Sequence, residues 1–250
     1  MGKRRLTSIQ LDAVEALLLA AFAALATWAG ARHYYFVPGE ARTFRALYGT
    51  SVHSQYDEEL YIRDFFNGKR GGFFVDVGAN HYKKFNNTFY LEKALDWSGI
   101  AIDALPEFAS GYAQHRPRTR FFSFFVSDTS DGRARFWVQG GDHLLSSSEQ
   151  DVAGARSTAR EVATITLDDL LARAGVQKVD FVSMDIELAE AKALAGFDIR
   201  RYRPDLVCIE AHPPVRQAIL DYFARNTYVV MGRYLRADTR NLYFTPLTAR

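Results

Sequence analysis

The sequence holds a single cysteine, Cys208, in 250 residues. One thiol builds neither a disulfide framework nor a cysteine-knuckle metal site. Its apolar run, Leu206-Val207-Cys208-Ile209, marks it as a small buried hydrophobe. No charge excess stands out either, since 31 Lys and Arg against 29 Asp and Glu leave a net charge of +2. That balance gives no electrostatic footprint for nucleic acid, which needs a strongly basic face. The glycine fingerprint GxGxxG is missing, which argues against a nicotinamide-dependent dehydrogenase. Internal repeats and low-complexity tracts are absent as well. What remains is the balance of an ordinary globular protein, 48% hydrophobic and 24% charged. The length fits one α/β domain plus an extension.

The extension is N-terminal. Lys3, Arg4 and Arg5 precede an uncharged stretch from Ala16 to Ala31 that is apolar on every side. It is about 16 residues long, against the roughly 20 of a spanning helix. Trp28, Tyr34 and Tyr35 suit a membrane interface. Three readings stand: a membrane anchor over residues 14–31, a soluble packing helix, and a signal peptide cleaved near Ala29-Gly30-Ala31. The anchor is preferred, with the remaining domain facing the cytoplasm. Residues 1–35 then form the membrane-associated helix, 36–70 a linker with an amphipathic helix over 54–67, and 71–250 the main domain.

From Phe73 onward, short apolar runs alternate with helical patterns. Strands are expected at Phe73–Val77, Gly99–Asp103, Arg120–Val126, Val179–Met184, Leu206–Glu210, Thr227–Met231 and Asn241–Thr245. Helices fill the gaps, at about Asn87–Leu95, Pro106–His115, Leu167–Ala174, Leu188–Leu194 and Val215–Arg225. This alternation implies a doubly wound α/β fold with a mostly parallel sheet. The stretch from Asp128 to Ala163 reads as irregular, with an edge strand at Ala134–Val138. Thr166 is placed to cap the helix at Leu167, with Asp169 at the box position.

Ligands of such sheets bind beyond the carboxyl ends of the strands. The first strand ends in Asp76-Val77-Gly78-Ala79-Asn80, where Gly78 permits close backbone approach. The second ends at Asp103, about 25 residues later, where a carboxylate can accept both hydroxyls of a ribose. Together they point to a nucleoside ligand. Asp185 and Glu210 end strands that neighbour each other in this fold, and His212 follows two residues on. These three can hold a divalent cation, or one of them can take the proton of an acceptor hydroxyl. A polar rim without metal is the alternative.

Several segments together resemble the FkbM-type methyltransferases, which use S-adenosylmethionine (SAM). They are Val75–Asn80, Asn87-Thr88 with Tyr90–Lys93, Trp97–Asp103, Val126-Ser127-Asp128, Ile165–Leu170, Val179–Glu190 with Leu194-Ala195-Gly196, and Cys208-Ile209-Glu210. The likeness runs from Ser54 to about Phe244. It implies a seven-stranded methyltransferase sheet, SAM as methyl donor, and O-methylation of a sugar, glycan, lipid-linked sugar or secondary metabolite. It further implies that Gly78 with its neighbours Asp76 and Asn80 lines the methionine part of SAM. Asp103 would hold the ribose, Ser127 and Asp128 would lie by the adenine, and Asp185 would face the methyl group. Two positions depart from the family pattern: Tyr82 and Leu188 stand where glycines are usual. Tyr82 is a candidate aromatic lid, and Leu188 a bulky group where backbone approach is close. A second reading therefore stands beside the first: a protein of this fold that binds a ligand or partner without methyl transfer.

Overall fold

The computed structural model describes residues 42–49, 52–139 and 157–247. The expected apolar helix over 14–31 lies outside the described residues. Among the described residues no helix is long and apolar enough to cross a membrane.

The first central strand, β1 (Phe73–Val77), is almost wholly buried. It is flanked by β2 (Ser98–Asp103) and, further out, β3 (Thr119–Ser123). On its other side lie β7 (Phe181–Met184), β8 (Leu206–Glu210), β10 (Asn241–Pro246) and β9 (Tyr228–Val230). The full order is β3-β2-β1-β7-β8-β10-β9. The pairings from β3 across to β8 are parallel, and β10 runs against both its neighbours. The expected mostly parallel seven-stranded sheet is therefore present.

Strand periodicity sends successive side chains to opposite faces. Val75, Val77, Val182, Met184, Val207 and Ile209 join one core, and Phe74, Phe181, Leu206, Cys208 and Tyr243 the other. On the first face pack α4 (Leu167–Arg173), α5 (Glu190–Ala195), a short α6 (Ile199–Tyr202) and α7 (Pro213–Arg225). Leu170, Leu194, Ile199 and Phe223 carry that contact. On the second lie α1 (Glu58–Phe66) and α2 (Phe89–Leu95), through Leu60, Tyr61, Phe66 and Leu91. Phe44 joins this second core, and the compact unit begins there. A further helix, α3 (Ala109–His115), leads into β3. Thr166 caps α4 as expected, its Oγ1 accepting the Asp169 N–H at 3.1 Å.

Several local expectations differ from the structure. The strand expected over Arg120–Val126 breaks at Phe124, whose N–H donates to the Asp103 carbonyl. Beyond Asp103 the parent sheet offers no further ladder. The continuation, β4 (Phe125–Val126), pairs instead with β6 (Ser157–Ile165). With β5 (Arg133–Gln139) these form a second, three-stranded sheet. The strand β6 went unread because most of its length is exposed, so its sequence has no apolar run. Finally, α5 starts at Glu190 rather than Leu188, because Glu187 and Leu188 adopt φ of 52° and 75°.

Candidate active site

The strand order reverses between β1 and β7, which is where open α/β sheets bind ligands. Register decides which residues meet there. Val77 lies opposite Ile102 and Met184, and Met184 opposite Ile209. The next residue of each strand or turn, namely Gly78, Asp103, Asp185 and Glu210, therefore arrives at one edge. All four line a cleft of about 260 Å³.

Gly78 has φ +79°, and a Cβ there would stand 1.8 Å from the Asp185 carbonyl oxygen. Its missing side chain is thus required by the protein's own chain as well as by any ligand. Asn80, at φ 47°, follows and lines the cleft. Its N–H donates to Asp103 Oδ2 at 2.9 Å, and the Leu105 N–H donates to Oδ1 at 2.9 Å. Each Asp103 oxygen keeps a lone pair for a ribose hydroxyl. Burial pushes this carboxyl up to about 6.

Asp76 lies elsewhere than the sequence indicated. It is buried away from the cleft and accepts from Thr88 Oγ1 at 2.8 Å and Asn86 Nδ2 at 3.2 Å. Burial pushes it up to about 6. The same network contains a fully buried Arg116, whose Nε donates to Glu92 Oε2 at 2.6 Å. Its other nitrogens reach the Tyr82 carbonyl, Asn86 Oδ1 and Thr88. The Asn87-Thr88 and Glu92 segments thus pin the turn after β1. Nothing in the local pattern of Arg116 marks it as buried; only its distant partners do.

Ser127 and Asp128 also stand off the cleft. The Ser127 hydroxyl is buried and donates to Asp128 Oδ1 at 3.0 Å, while Asp128 is 3.8 Å from Lys192. The apolar slot beside Asp103 is built from Leu105, Phe124, Phe125, Val126 and Phe136 instead. A flat apolar base suits those walls. Phe136 comes from the second sheet, whose extent the sequence did not reveal.

Neither departure from the family pattern lines the cleft. Tyr82 is stacked between His81 and His115, at centroid distances of 4.3 and 4.4 Å. It fills the space over Gly111, where a Cβ would meet it at 2.7 Å. It is therefore a packing residue on α3 and not a lid. Leu188 matters through its backbone, since its φ of 75° is the left-handed region that favours glycine. The reading of binding without transfer rested on these two residues, and neither obstructs the ligand site.

At the far end of the cleft, carboxylates crowd together. The expected trio of Asp185, Glu210 and His212 regroups into two sets that share Glu210. One is Asp185, Glu190 and Glu210, and the other Glu187, Glu210 and His212. Glu187 and Glu190 were not singled out in the sequence, although both lie in the Asp185–Glu190 segment. Burial, then the neighbouring Asp185, pushes Glu210 up to about 9. Burial also raises Asp185. Glu187 and Glu190 are pushed up to about 7, again by burial first. His212 Nε2 lies 3.1 Å from Glu210 Oε2. The mouth adds Gln55, Tyr56, Phe85 and Arg240, with the Arg240 guanidinium 4.2 Å over the Tyr56 ring. The helix expected over 54–67 begins only at Glu58, so Tyr56 precedes α1 and is exposed.

A parallel sheet closed by one reversed strand, a glycine turn and a ribose-type aspartate beside an apolar slot define the SAM-dependent α/β methyltransferases. The family described as Methyltransferase FkbM domain matches residues 76–230, more than half of the chain. The chain belongs to that family and is a SAM-dependent methyltransferase. Among solved structures it is similar to a TehB-like SAM-dependent methyltransferase from Corynebacterium glutamicum, at 15% identity, covering 84% of this chain and 98% of that one, with a TM-score of 0.45. It is also similar to a precorrin-6y C5,15-methyltransferase from Geobacter metallireducens, at 9% identity, 78% and 90% coverage and a TM-score of 0.43. A third is a SAM-dependent methyltransferase from Geobacter sulfurreducens in complex with S-adenosyl-L-homocysteine, at 10% identity, 78% and 76% coverage and a TM-score of 0.39. No curated protein matches the chain.

Proposed function

We propose that this protein methylates a hydroxyl of a sugar, glycan, lipid-linked sugar or related metabolite. One observation carries the reading. The donor end of the cleft, at Gly78 and Asp103, leads to a proton-accepting end at His212 and Glu210, whose mouth presents the exposed rings of Tyr56 and Phe85. Exposed aromatic rings beside polar groups suit the C–H face and hydroxyl edge of a sugar ring.

When bound, SAM supplies an electrophilic sulfonium methyl, transferred by direct displacement. The residues supply orientation and a base. Asp103 holds the ribose, and the slot from Leu105 to Phe136 shields the base. Alignment of donor and acceptor provides much of the acceleration in such a displacement. The acceptor hydroxyl gives its proton to His212 Nδ1, since Nε2 faces Glu210. Nε2 of the resulting imidazolium stands 3.1 Å from Glu210 Oε2.

The test is transfer of isotopically labelled methyl from SAM to a panel of saccharides, amines and thiols. Label appearing as an O-methyl ether, and lost in His212→Ala, is expected. Label confined to nitrogen or sulfur acceptors would contradict the proposal. Membrane association through residues 14–31, with the domain facing the cytoplasm, is a second part of the proposal and rests on the apolar sequence alone. In inverted vesicles the domain should be digested by added protease; protection would contradict that orientation.

A further inference from the structure

We propose that Asp185, Glu190 and Glu210 form a binding site for one divalent cation of the Mg²⁺, Mn²⁺ or Ca²⁺ type. One carboxylate oxygen from each residue lies within 4.8 Å of the others. Oxygens facing each other across such a cation are about 4 to 5 Å apart, given metal–oxygen distances of roughly 2.0 to 2.6 Å. The three oxygens therefore lie within the span that one cation can bridge, with cis oxygens drawing closer on binding. An all-oxygen set selects hard cations over zinc or copper.

A second, independent observation points the same way. Glu190 Oε2 and Glu210 Oε2 are buried and accept no hydrogen bond among the described residues. Glu190 is 0% exposed and Glu210 7% exposed. Buried carboxylate oxygens are ordinarily satisfied, and an orphan pair in one cluster calls for a ligand. Structural duty explains only half of Glu190, because Oε1 accepts the Ile186 N–H at 3.0 Å and leaves Oε2 unused. His212 Nε2, at 3.1 Å from Glu210 Oε2, makes no hydrogen bond to it.

Position gives the cation its task, which rests on the hydroxyl-acceptor reading above. Asp185 and Glu210 line the cleft, whereas Glu190 closes the site from behind. A cation held there would be open to the cleft on the side of Asp185 and Glu210. A sugar with two adjacent hydroxyls can chelate there. Such a cation would supply Lewis acidity to the acceptor hydroxyl, whose proton would pass to His212 as the oxygen bonds to carbon, the carbon–sulfur bond breaks and sulfur keeps the electron pair.

The test needs neither SAM nor acceptor, so its failure is separate from failure of the methylation reading. Mn²⁺ is titrated into the full chain and followed by electron paramagnetic resonance, with Mg²⁺ as competitor. The expected result is one Mn²⁺ per chain, displaced by Mg²⁺ and weakened at least tenfold in both Glu190→Gln and Asp185→Asn. Glu190→Gln keeps an acceptor for the Ile186 N–H, and circular dichroism confirms folding; should it fail to fold, Asp185→Asn decides. Absence of Mn²⁺, Mg²⁺ and Ca²⁺ binding by folded wild type would overturn the site. Undiminished binding in the folded variants would overturn it equally.

Discussion

Gly78→Ala separates two reasons for a glycine at the end of β1. One is room for a ligand, and the other is room for the protein's own chain. The structure assigns the stronger demand to the chain. The new Cβ would lie 1.8 Å from the Asp185 carbonyl oxygen, 2.9 Å from its carbonyl carbon and 3.0 Å from Ile186 Cγ2. Relief of the first contact requires β1 and the turn after β7 to separate by about 1.5 Å, to reach an ordinary nonbonded distance. Overpacking of this kind costs about 1–3 kcal/mol. The positive φ adds about 1–2 kcal/mol for a residue with a side chain. Gly175→Ala isolates the second contribution, because Gly175 has φ +72° and nothing within 4 Å of its added Cβ. The difference between the variants is therefore the steric part. In a domain of this size it corresponds to roughly 2–12 °C in melting temperature. Thermal unfolding followed by circular dichroism reads both. Indistinguishable melting temperatures for the two variants would refute the reasoning.

Other outcomes follow from the buried charges and the strained turn. Asp76 is raised from 3.8 to about 6, so between those values the native state binds more protons than the unfolded chain. The stability it contributes is present below pH 3.8 and is lost as pH rises through 6, an effect of up to about 3 kcal/mol. Subtracting an Asp76→Asn denaturation series from the wild-type series between pH 4 and 7 should expose that slope, and parallel series would contradict it. Arg116→Met strands the buried Glu92 and should cost about 3–5 kcal/mol in urea unfolding. Adding Glu92→Gln should recover part of that loss; no recovery would show that packing, not charge, is responsible. Leu188→Gly relieves a left-handed backbone worth about 1–2 kcal/mol but loosens the unfolded chain by about 0.4–1 kcal/mol. A net gain of roughly 0.5–1 kcal/mol is expected in the same assay, and a loss would place the cost of glycine above the strain.

The strand ends were legible because register in a parallel sheet is simple. Once β1, β2, β7 and β8 were recognised as apolar runs, Gly78, Asp103, Asp185 and Glu210 had to emerge on one edge. Residues whose roles depend on folding partners far away in sequence were not legible. Asp76 reads like a ligand-facing carboxylate until Asn86, Thr88 and Arg116 are seen around it. Phe136 forms part of the apolar slot only because β5 pairs with β6, a strand too exposed to carry an apolar signature. Tyr82 and Leu188 looked alike as lost glycines, yet one fills space beside Gly111 and the other strains a turn. Spacing alone did not distinguish a steric demand from a dihedral one.

Binding of S-adenosylhomocysteine, measured by calorimetry on wild type and Asp103→Asn, tests the central claim most directly. Asp103 already accepts the N–H groups of Asn80 and Leu105, so an amide in its place sets its NH₂ group against one of those donors or against the ribose. Hydrogen bonds to a charged group are worth about 1.5–3 kcal/mol, which is a loss of roughly ten- to a hundredfold in affinity. One equivalent bound by wild type and weakened to that extent in the folded variant is the predicted result. Folded wild type that binds none, or a variant that binds as tightly as wild type, would contradict the account.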